Sequence, residues 1–322
     1  MNYTKNMRYE RQVMFNKIGK EKQKLIEDST ITIIGLGALG SVISEMLVRS
    51  GVKNLIIIDR DIIELTNLQR QSLYCEEDIG KLKALVAKEK LEKINSEVKI
   101  KSYSEDLDYN NIEIIKSDLI LDCTDNLDTR FLINDYSKSK KIPWIYAAVI
   151  GGKGMVLPVN INNPCFSCIF KETDQIIGTC ETEGILNSTV HAIAGIQFNE
   201  AIKILTKNKK TSVQLIYFNL WDLELKKINV NKNDKCETCN GNYKWLKGYG
   251  DKPVLKLCGS NKFQIKLNPI NLEELDKKLN EEKLLTKHCL MLKDMTVFKN
   301  GRVLVKAETK QIAKSLIDKY LK

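Results

Sequence analysis

Thr30-Ile-Thr-Ile-Ile34, then Gly35-Leu-Gly37-Ala-Leu-Gly40, then an apolar-periodic run to Ser50, then Leu55-Ile-Ile-Ile58 closing on Asp59: this stretch decides the fold. A short β-branched run that stops at a glycine loop and restarts as a helix is one β-α-β unit. Its second strand delivers an acidic side chain at its carboxyl end. The three glycines have separate jobs. Gly35 permits the tight turn, Gly37 lets backbone N–H groups approach a phosphate, and Gly40 lets the helix lie close to the strand. The helix start offers unpaired N–H groups to an anion, and Asp59 stands where a ribose hydroxyl can donate to it. The unit predicts a nucleotide site without distinguishing NAD, FAD or ATP.

Working outward, residues 8–28 read as one helix, with Arg8 and Arg11 three residues apart on one face. After Asp61 the segment to Asn67-Leu-Gln-Arg70-Gln71 is too polar at its end for core and too long for a tight turn, which marks a functional loop. A helix follows from Lys81 to about Asn95, burying Ala84, Ala87, Leu91 and Ile94. Lys83 lies in its first turn, where a cation opposes the helix dipole and an anion nearby would make sense of it. Strands at 98–103 and 118–122 come next, the second running into Cys123-Thr124-Asp125-Asn126 at the edge where open parallel sheets bind ligands. A helix from Leu127 carries Arg130, and a strand spans 143–149.

Beyond Gly151 the reading is a strand at 153–159, a loop with Cys165-Phe-Ser-Cys168, and the segment Gly178-Thr-Cys180-Glu. A long helix follows from Ser188 to Lys207, burying Val190, Ala194, Phe198, Ala201 and Leu205. Two strands then lead to Cys236-Glu-Thr-Cys239. Gly248 to Pro253 reads as a linker. After it come two short strands, a helix at 272–279, a hairpin turning on Asn300-Gly301, and a last helix. The alternation predicts an α/β chain: a doubly wound, Rossmann-like, mostly parallel sheet with a small C-terminal α+β appendage. Its domains are residues 1–247 and 248–322. No internal repeat is visible.

Length and composition agree with that division, because 322 residues exceed one typical core and 43% hydrophobic content supplies ample core material. No apolar run approaches membrane-span length and the first residues lack a signal-peptide pattern, so a cytoplasmic protein is expected. Nine cysteines at mixed spacing argue for reduced thiols and metal over a disulfide scaffold. The net charge of +10 admits an acidic or nucleic-acid partner, but lysines spread along the chain favour an ordinary solvated surface.

The two CxxC pairs are the second strong signal. Four thiolates match a closed, structural tetrahedral zinc, each pair forming one knuckle, and the long separation means that two distant loops are stapled. Dithiol redox chemistry is the alternative. For the nucleotide, a dehydrogenase needs a proton donor beside the hydride site, usually histidine. This chain has two, His191 and His288. The first reads as a packed helix residue and the second lies in the appendage. The ligand edge of the sheet offers Asn67, Arg70, Lys83 and Asp125, with Arg130 and Arg11 as further cations. Cations with one carboxylate suit a triphosphate and Mg2+ rather than hydride transfer.

Arg8-Tyr-Glu-Arg11-Gln12, the glycine loop, Asn67-Leu-Gln-Arg70-Gln71, Gly80-Lys-Leu-Lys83, Asp122-Cys-Thr-Asp125-Asn126 and both CxxC pairs occur in this order. Together they resemble the ThiF/MoeB/HesA family, relatives of the ubiquitin-activating enzymes that adenylate the C-terminal glycine of ubiquitin-like sulfur carriers. The resemblance covers roughly residues 7–245. It implies that Asp59 binds the ATP ribose, that Arg70, Lys83 and Asn67 hold phosphates, and that Asp125 holds Mg2+. It also implies that Arg11 reaches into the neighbouring site of a homodimer and that Cys165, Cys168, Cys236 and Cys239 bind zinc. Cys180 stands where some members place a cysteine that receives the carrier or its sulfur. No rhodanese domain is recognisable, so sulfur is expected from a separate donor such as a cysteine desulfurase.

The chemistry agrees independently. A C-terminal carboxyl has a pKa near 3.5 and is already an anion at neutral pH, so attack on the α-phosphorus needs no general base. It needs charge neutralisation and in-line alignment. Two other readings remain at this stage: a relative that activates a tRNA-bound carboxylate, and a non-enzymatic zinc-stapled nucleotide sensor.

Overall fold

The computed structural model describes residues 7–172, 183–207, 214–250, 254–256, 262–286 and 288–321. The chain divides into two compact units, with the boundary in sequence between Tyr249 and Gly250.

In the first unit, β1 (Thr30–Ile34), α3 (Ala38–Ser50) and β2 (Asn54–Ile58) form the expected β-α-β unit. Two helices precede it, α1 (Glu10–Met14) and α2 (Gly19–Asp28). The single helix expected over 8–28 is therefore broken. Phe15 is extended, and Gly19 takes φ +66°, a conformation that a side chain would resist. Then follow α4 (Lys83–Ile94), β3 (Lys99–Tyr103), β4 (Leu119–Asp122), α5 (Leu127–Lys140), β5 (Trp144–Ile150) and β6 (Lys153–Val159). A four-residue helix, α6 (Phe166–Ile169), lies inside the first CxxC, which the sequence reading leaves as loop. The long helix α7 (Asn187–Leu205) and the strands β7 (Gln214–Asn219) and β8 (Glu224–Asn229) complete the unit.

The strands order as β3-β2-β1-β4-β5-β6-β7-β8. The first five are parallel, because α3, α4 and α5 each return the chain to the same edge, and the last three run antiparallel. Chain order reverses between β1 and β4, and there Ile34 registers with both Ile58 and Asp122. A doubly wound sheet binds its ligand at this crevice, outside the carboxyl ends of its strands. One face of the sheet packs Ile31, Ile33, Leu55 and Ile57 against Ile43, Leu47, Ala87, Leu91, Val190 and Ala194 of α3, α4 and α7. The other packs Ile34, Ile56, Ile120 and Trp144 against Phe131 and Leu132 of α5 and Phe166. No described helix is long and apolar enough to cross a membrane.

The second unit is a six-stranded antiparallel sheet ordered β11-β12-β13-β14-β10-β9. Its elements are β9 (Val254–Lys256), β10 (Lys262–Lys266), α8 (Leu272–Lys278), β11 (Lys283–Leu285), β12 (Cys289–Leu292), β13 (Met295–Phe298), β14 (Arg302–Lys306) and α9 (Lys310–Leu321). Phe263, Ile265, Val297, Val303 and Val305 pack with Leu272 and Leu275 of α8 and Ala313 and Ile317 of α9. The Asn300-Gly301 turn is present, with Gly301 at φ +87°. The strands β11 and β12 carry no alternation that would mark them in advance.

Candidate functional site

The glycine loop is shaped by its own backbone. A Cβ on Gly35, at φ +89°, would lie 2.6 Å from Cys123 O, and one on Gly40 would lie 1.9 Å from Gly35 O. Both positions therefore admit only glycine, as the β-α-β reading requires. Gly37 differs. A Cβ there would meet nothing nearer than Gln71 Nε2 at 3.7 Å, so its bare face opens onto space at the start of α3. The first N–H groups of a helix have no intrahelical acceptor, and the helix dipole adds positive potential there. An anion is the natural occupant.

Asp59, buried at the end of β2, fixes this loop. Its Oδ2 accepts the Leu36 N–H at 2.6 Å and its Oδ1 accepts the Asp61 N–H at 2.7 Å. Each oxygen keeps a lone pair for a further donor. Burial pushes the Asp59 carboxyl above the usual range, and the positive charge of Lys83 opposes that. Lys83 reaches this edge because the chain after β2 is bound to the chain before α4. Ile63 N–H donates to Lys81 O, Gly80 N–H to Ile63 O, and Lys83 N–H to Asp61 O. The buried Lys83 ammonium lies 3.9 Å from Asp61 Oδ2. Between these segments runs the functional loop. Asn67 is buried and accepts the Glu64 N–H at 3.3 Å, while Arg70 Nη1 donates to Thr66 O at 2.8 Å.

On the other side of the crevice, the loop after β4 is held from below. Asp122 is fully buried and accepts from Thr124 N at 2.9 Å and Thr124 Oγ1 at 2.6 Å. It also accepts from Arg130 Nε at 3.1 Å. Arg130 also donates to Thr124 O and stands 4.9 Å from the centre of the Tyr146 ring. Burial raises the Asp122 carboxyl even against this guanidinium. Arg130 is thus committed to the fold, correcting its reading as a phosphate cation. The side chain that the clamp presents is Asp125, exposed at the tip of the loop.

Arg11 is elsewhere. Gln12 Nε2 donates to Ser50 O at 2.8 Å, Tyr9 packs against Gly51, and Asn95 Nδ2 donates to Tyr9 Oη at 3.0 Å. These contacts tie the N-terminal segment to the far end of α3, whose thirteen residues span roughly 20 Å. Arg11 is exposed there and contacts Met14 Sδ at 3.7 Å, so it does not belong to the ligand edge of its own chain. Arg8 does not share its face either, since Arg8 lies outside α1 and donates to Ile94 O at 3.1 Å. His191 is exposed on α7, hydrogen-bonded to Asn187 O at 3.1 Å, rather than packed. Cys180 lies outside the described residues.

The four CxxC sulfurs converge, all within 4.8 Å of one another. Sγ separations are 3.9 Å for Cys165–Cys168, 3.5 Å for Cys165–Cys236, 3.6 Å for Cys168–Cys239 and 3.4 Å for Cys165–Cys239. A tetrahedron with Zn–S bonds of about 2.3 Å has sulfur edges of about 3.8 Å, so this donor set suits zinc in size and chemistry. Sequence reasoning missed what holds the knuckles. Asn134, buried on α5, accepts the Phe166 N–H and donates to Ser167 Oγ. Its neighbour Asp135 accepts from Thr238 Oγ1 at 2.7 Å and from the Trp245 N–H at 2.9 Å, and burial pushes its carboxyl up to about 6. The available signal was an Asn-Asp pair directly after the apolar Phe131-Leu-Ile133 run, where plain helix periodicity leaves two polar groups to be buried.

Comparison with known proteins places the chain among relatives of known kind. A ThiS adenylyltransferase from Bacillus subtilis is 34% identical over 98% of this chain and 99% of its own length. The ThiS adenylyltransferase of Escherichia coli is 31% identical over 75% of this chain and 98% of its own. The crystal structure of E. coli MccB with ATP shares the fold, with TM-score 0.64 at 23% identity over 73% of this chain and 74% of that one. Residues 9–238, from Tyr9 beside α1 through the glycine loop and both crevice walls to the second thiol knuckle, match the ThiF family, and the chain belongs to it.

Proposed function

We propose that this protein uses ATP to adenylate the C-terminal glycine carboxylate of a ubiquitin-like sulfur carrier of the ThiS or MoaD kind, releasing pyrophosphate. The observation that carries the reading is the crevice itself, where the open helix start at Gly37, the Asp59–Lys83 edge and the Asp125 loop converge with no histidine base. The carrier carboxylate is already the nucleophile. The chain has only to hold the triphosphate, offset its charge and present the α-phosphorus in line. The helix start and Lys83 take phosphate oxygens, joined by Asn67 and Arg70, and Asp59 takes the ribose. Asp125 supplies a hard oxygen ligand for Mg2+, which when bound neutralises phosphate charge. The named activities of the relatives support this substrate class. The test is exchange of labelled pyrophosphate into ATP with a recombinant ThiS-type carrier. Exchange should require the carrier, and none above the carrier-free rate would refute the reading.

We further infer a homodimer with zinc in the thiol cluster and a cytoplasmic setting that keeps the cysteines reduced. Met7, Met14 and Phe15, all within four residues of Arg11 in the chain, are exposed, a surface suited to a second copy. With Arg11 about a helix length from its own crevice, its use in catalysis is in trans. Mixing Arg11→Ala with Asp125→Ala protein should then restore part of the activity, since each heterodimer keeps one complete site. No recovery after verified subunit exchange would exclude that role. Cys180 is assigned to a later step, in which its sulfur attacks the adenylated carboxyl and AMP leaves, before a separate desulfurase-type donor supplies sulfur. Cys180→Ser should keep pyrophosphate exchange and lose the thioester-linked carrier adduct. Absence of that adduct in the wild type would remove Cys180 from the pathway.

A further inference from the structure

Next to the helix start, the fold leaves one buried polar side chain unsatisfied. Gln71 is 4% exposed, and its Oε1 has no hydrogen-bond partner among the described residues. An unpaired buried amide destabilises a fold, so its retention calls for a reason. The backbone around it is firmly fixed. Gln71 N–H donates to Asn67 O at 3.0 Å, and Gln71 O accepts the Tyr74 N–H at 3.1 Å. Tyr74 Oη donates to Leu36 O at 2.9 Å, which binds this segment to the glycine loop. The other end of the amide, Nε2, is the one atom that a Cβ on Gly37 would meet, at 3.7 Å.

The contrast among the glycines sharpens this. Gly35 and Gly40 are required by crowding from the chain itself, with contacts of 2.6 and 1.9 Å, whereas packing does not require Gly37 to be bare. What its bare face serves is an occupant. That occupant meets helix-start N–H groups on one side and an amide N–H on the other, and a group addressed only by donors is an anion. In this orientation the amide turns its donor, Nε2, toward the open face of Gly37 and leaves its acceptor, Oε1, as the orphan.

We propose that Gln71 is a nucleotide-binding residue whose Nε2 donates to a phosphate oxygen of ATP seated at the start of α3. This rests on the reading of the crevice as an ATP site. The contact is made to the bound nucleotide throughout the reaction, so it strengthens ground state and transition state alike and acts on KM rather than kcat. Gln71→Leu keeps the volume, removes the donor and removes the orphan acceptor. Gln71→Glu keeps the shape and turns a carboxylate toward the phosphate.

The test combines thermal melts with and without MgATP and pyrophosphate-exchange kinetics with a ThiS-type carrier, for wild type and both variants. Gln71→Leu should melt no lower than wild type without nucleotide, lose most of the ATP-induced rise, and raise KM for ATP about tenfold or more. Its kcat and its KM for the carrier should stay within about twofold. Gln71→Glu should raise KM for ATP further, by about a hundredfold, through like-charge repulsion. A wild-type rise with ATP that Gln71→Leu matches, at unchanged KM, overturns the role of Gln71 alone. So does a lower melting temperature and a lost kcat in both variants with KM for ATP unchanged, which is what a packing role would give. A wild type with no ATP-induced rise overturns the reading of the crevice and the role of Gln71 with it.

Discussion

Asp125→Ala lowers carrier-dependent pyrophosphate exchange by roughly 10²-fold or more, and Arg70→Ala does the same, because each removes a group that meets phosphate charge as it redistributes in the transition state. The surroundings of Asp125 make its variant a clean test. The residue is exposed, and the loop that presents it is clamped through Asp122, Thr124 and Arg130, none of which the substitution touches. The melting temperature of Asp125→Ala without nucleotide should therefore stay near that of wild type. Arg70 is tethered by one hydrogen bond to Thr66 O, a local contact whose loss leaves the buried Asn67 and Gln71 in place. Exchange at the wild-type rate in either variant would contradict the adenylate site. A loss accompanied by a large fall in melting temperature would assign the defect to folding, and circular dichroism of the same samples separates the two cases.

What the sequence made legible was local. β1, the glycine loop, α3 and β2 are read correctly because each signal spans a few residues: β-branched runs for strands, a positive-φ glycine for the turn, and an acidic residue at the strand end. Asp59 directly follows β2 and the Asp125 loop directly follows β4, so their place at the carboxyl edge of the sheet is legible in the same way. The misread positions depend on contacts remote in sequence. Arg130 looks like a surface cation until Asp122, eight residues earlier, is seen fully buried beside it. Arg11 looks like part of the ligand edge until Gln12 is found bonded to Ser50 O, thirty-eight residues on, at the wrong end of α3. Asn134 and Asp135 escaped notice because their partners lie between about thirty and a hundred and ten residues away.

The positive charge is unevenly distributed along the chain. From Gly250 onward sixteen basic residues stand against nine acidic ones, so +7 of the net +10 lies in residues 250–322. Residues 1–249 carry +3 and are close to balanced. A relative named for the same adenylation aligns over almost all of its own length while covering 75% of this chain.

Cys236→Ser should remove bound zinc, from about one ion per chain to nearly none, and lower the melting temperature by roughly 10 °C or more. Metal bound to a structural site contributes its binding free energy to folding. In a unit of this size each kcal/mol corresponds to about 2–4 °C. Cys236 is the informative choice because it is buried and lies 3.5 Å from Cys165, so it joins knuckles seventy-one residues apart in the chain. Serine has nearly the same size but does not ionise, leaving three thiolates around a position that needs four. The collapse should be partial. Asn134 still holds the first knuckle and Asp135 still holds Thr238 and Trp245, so α5 keeps both loops nearby without the ion. Well below the melting transition, exchange kinetics should accordingly stay within a few-fold of wild type, since the described crevice residues lie at the carboxyl edge of the sheet and are not among the four cluster cysteines or the Asn134 and Asp135 that hold the knuckles. If purified wild-type protein carries no zinc and alkylation under non-reducing conditions shows Cys165–Cys168 or Cys236–Cys239 oxidised, the cluster is a dithiol pair and not a metal staple. An unchanged melting temperature in Cys236→Ser with zinc still bound would show that the other three sulfurs suffice, and would remove Cys236 from the ligand set.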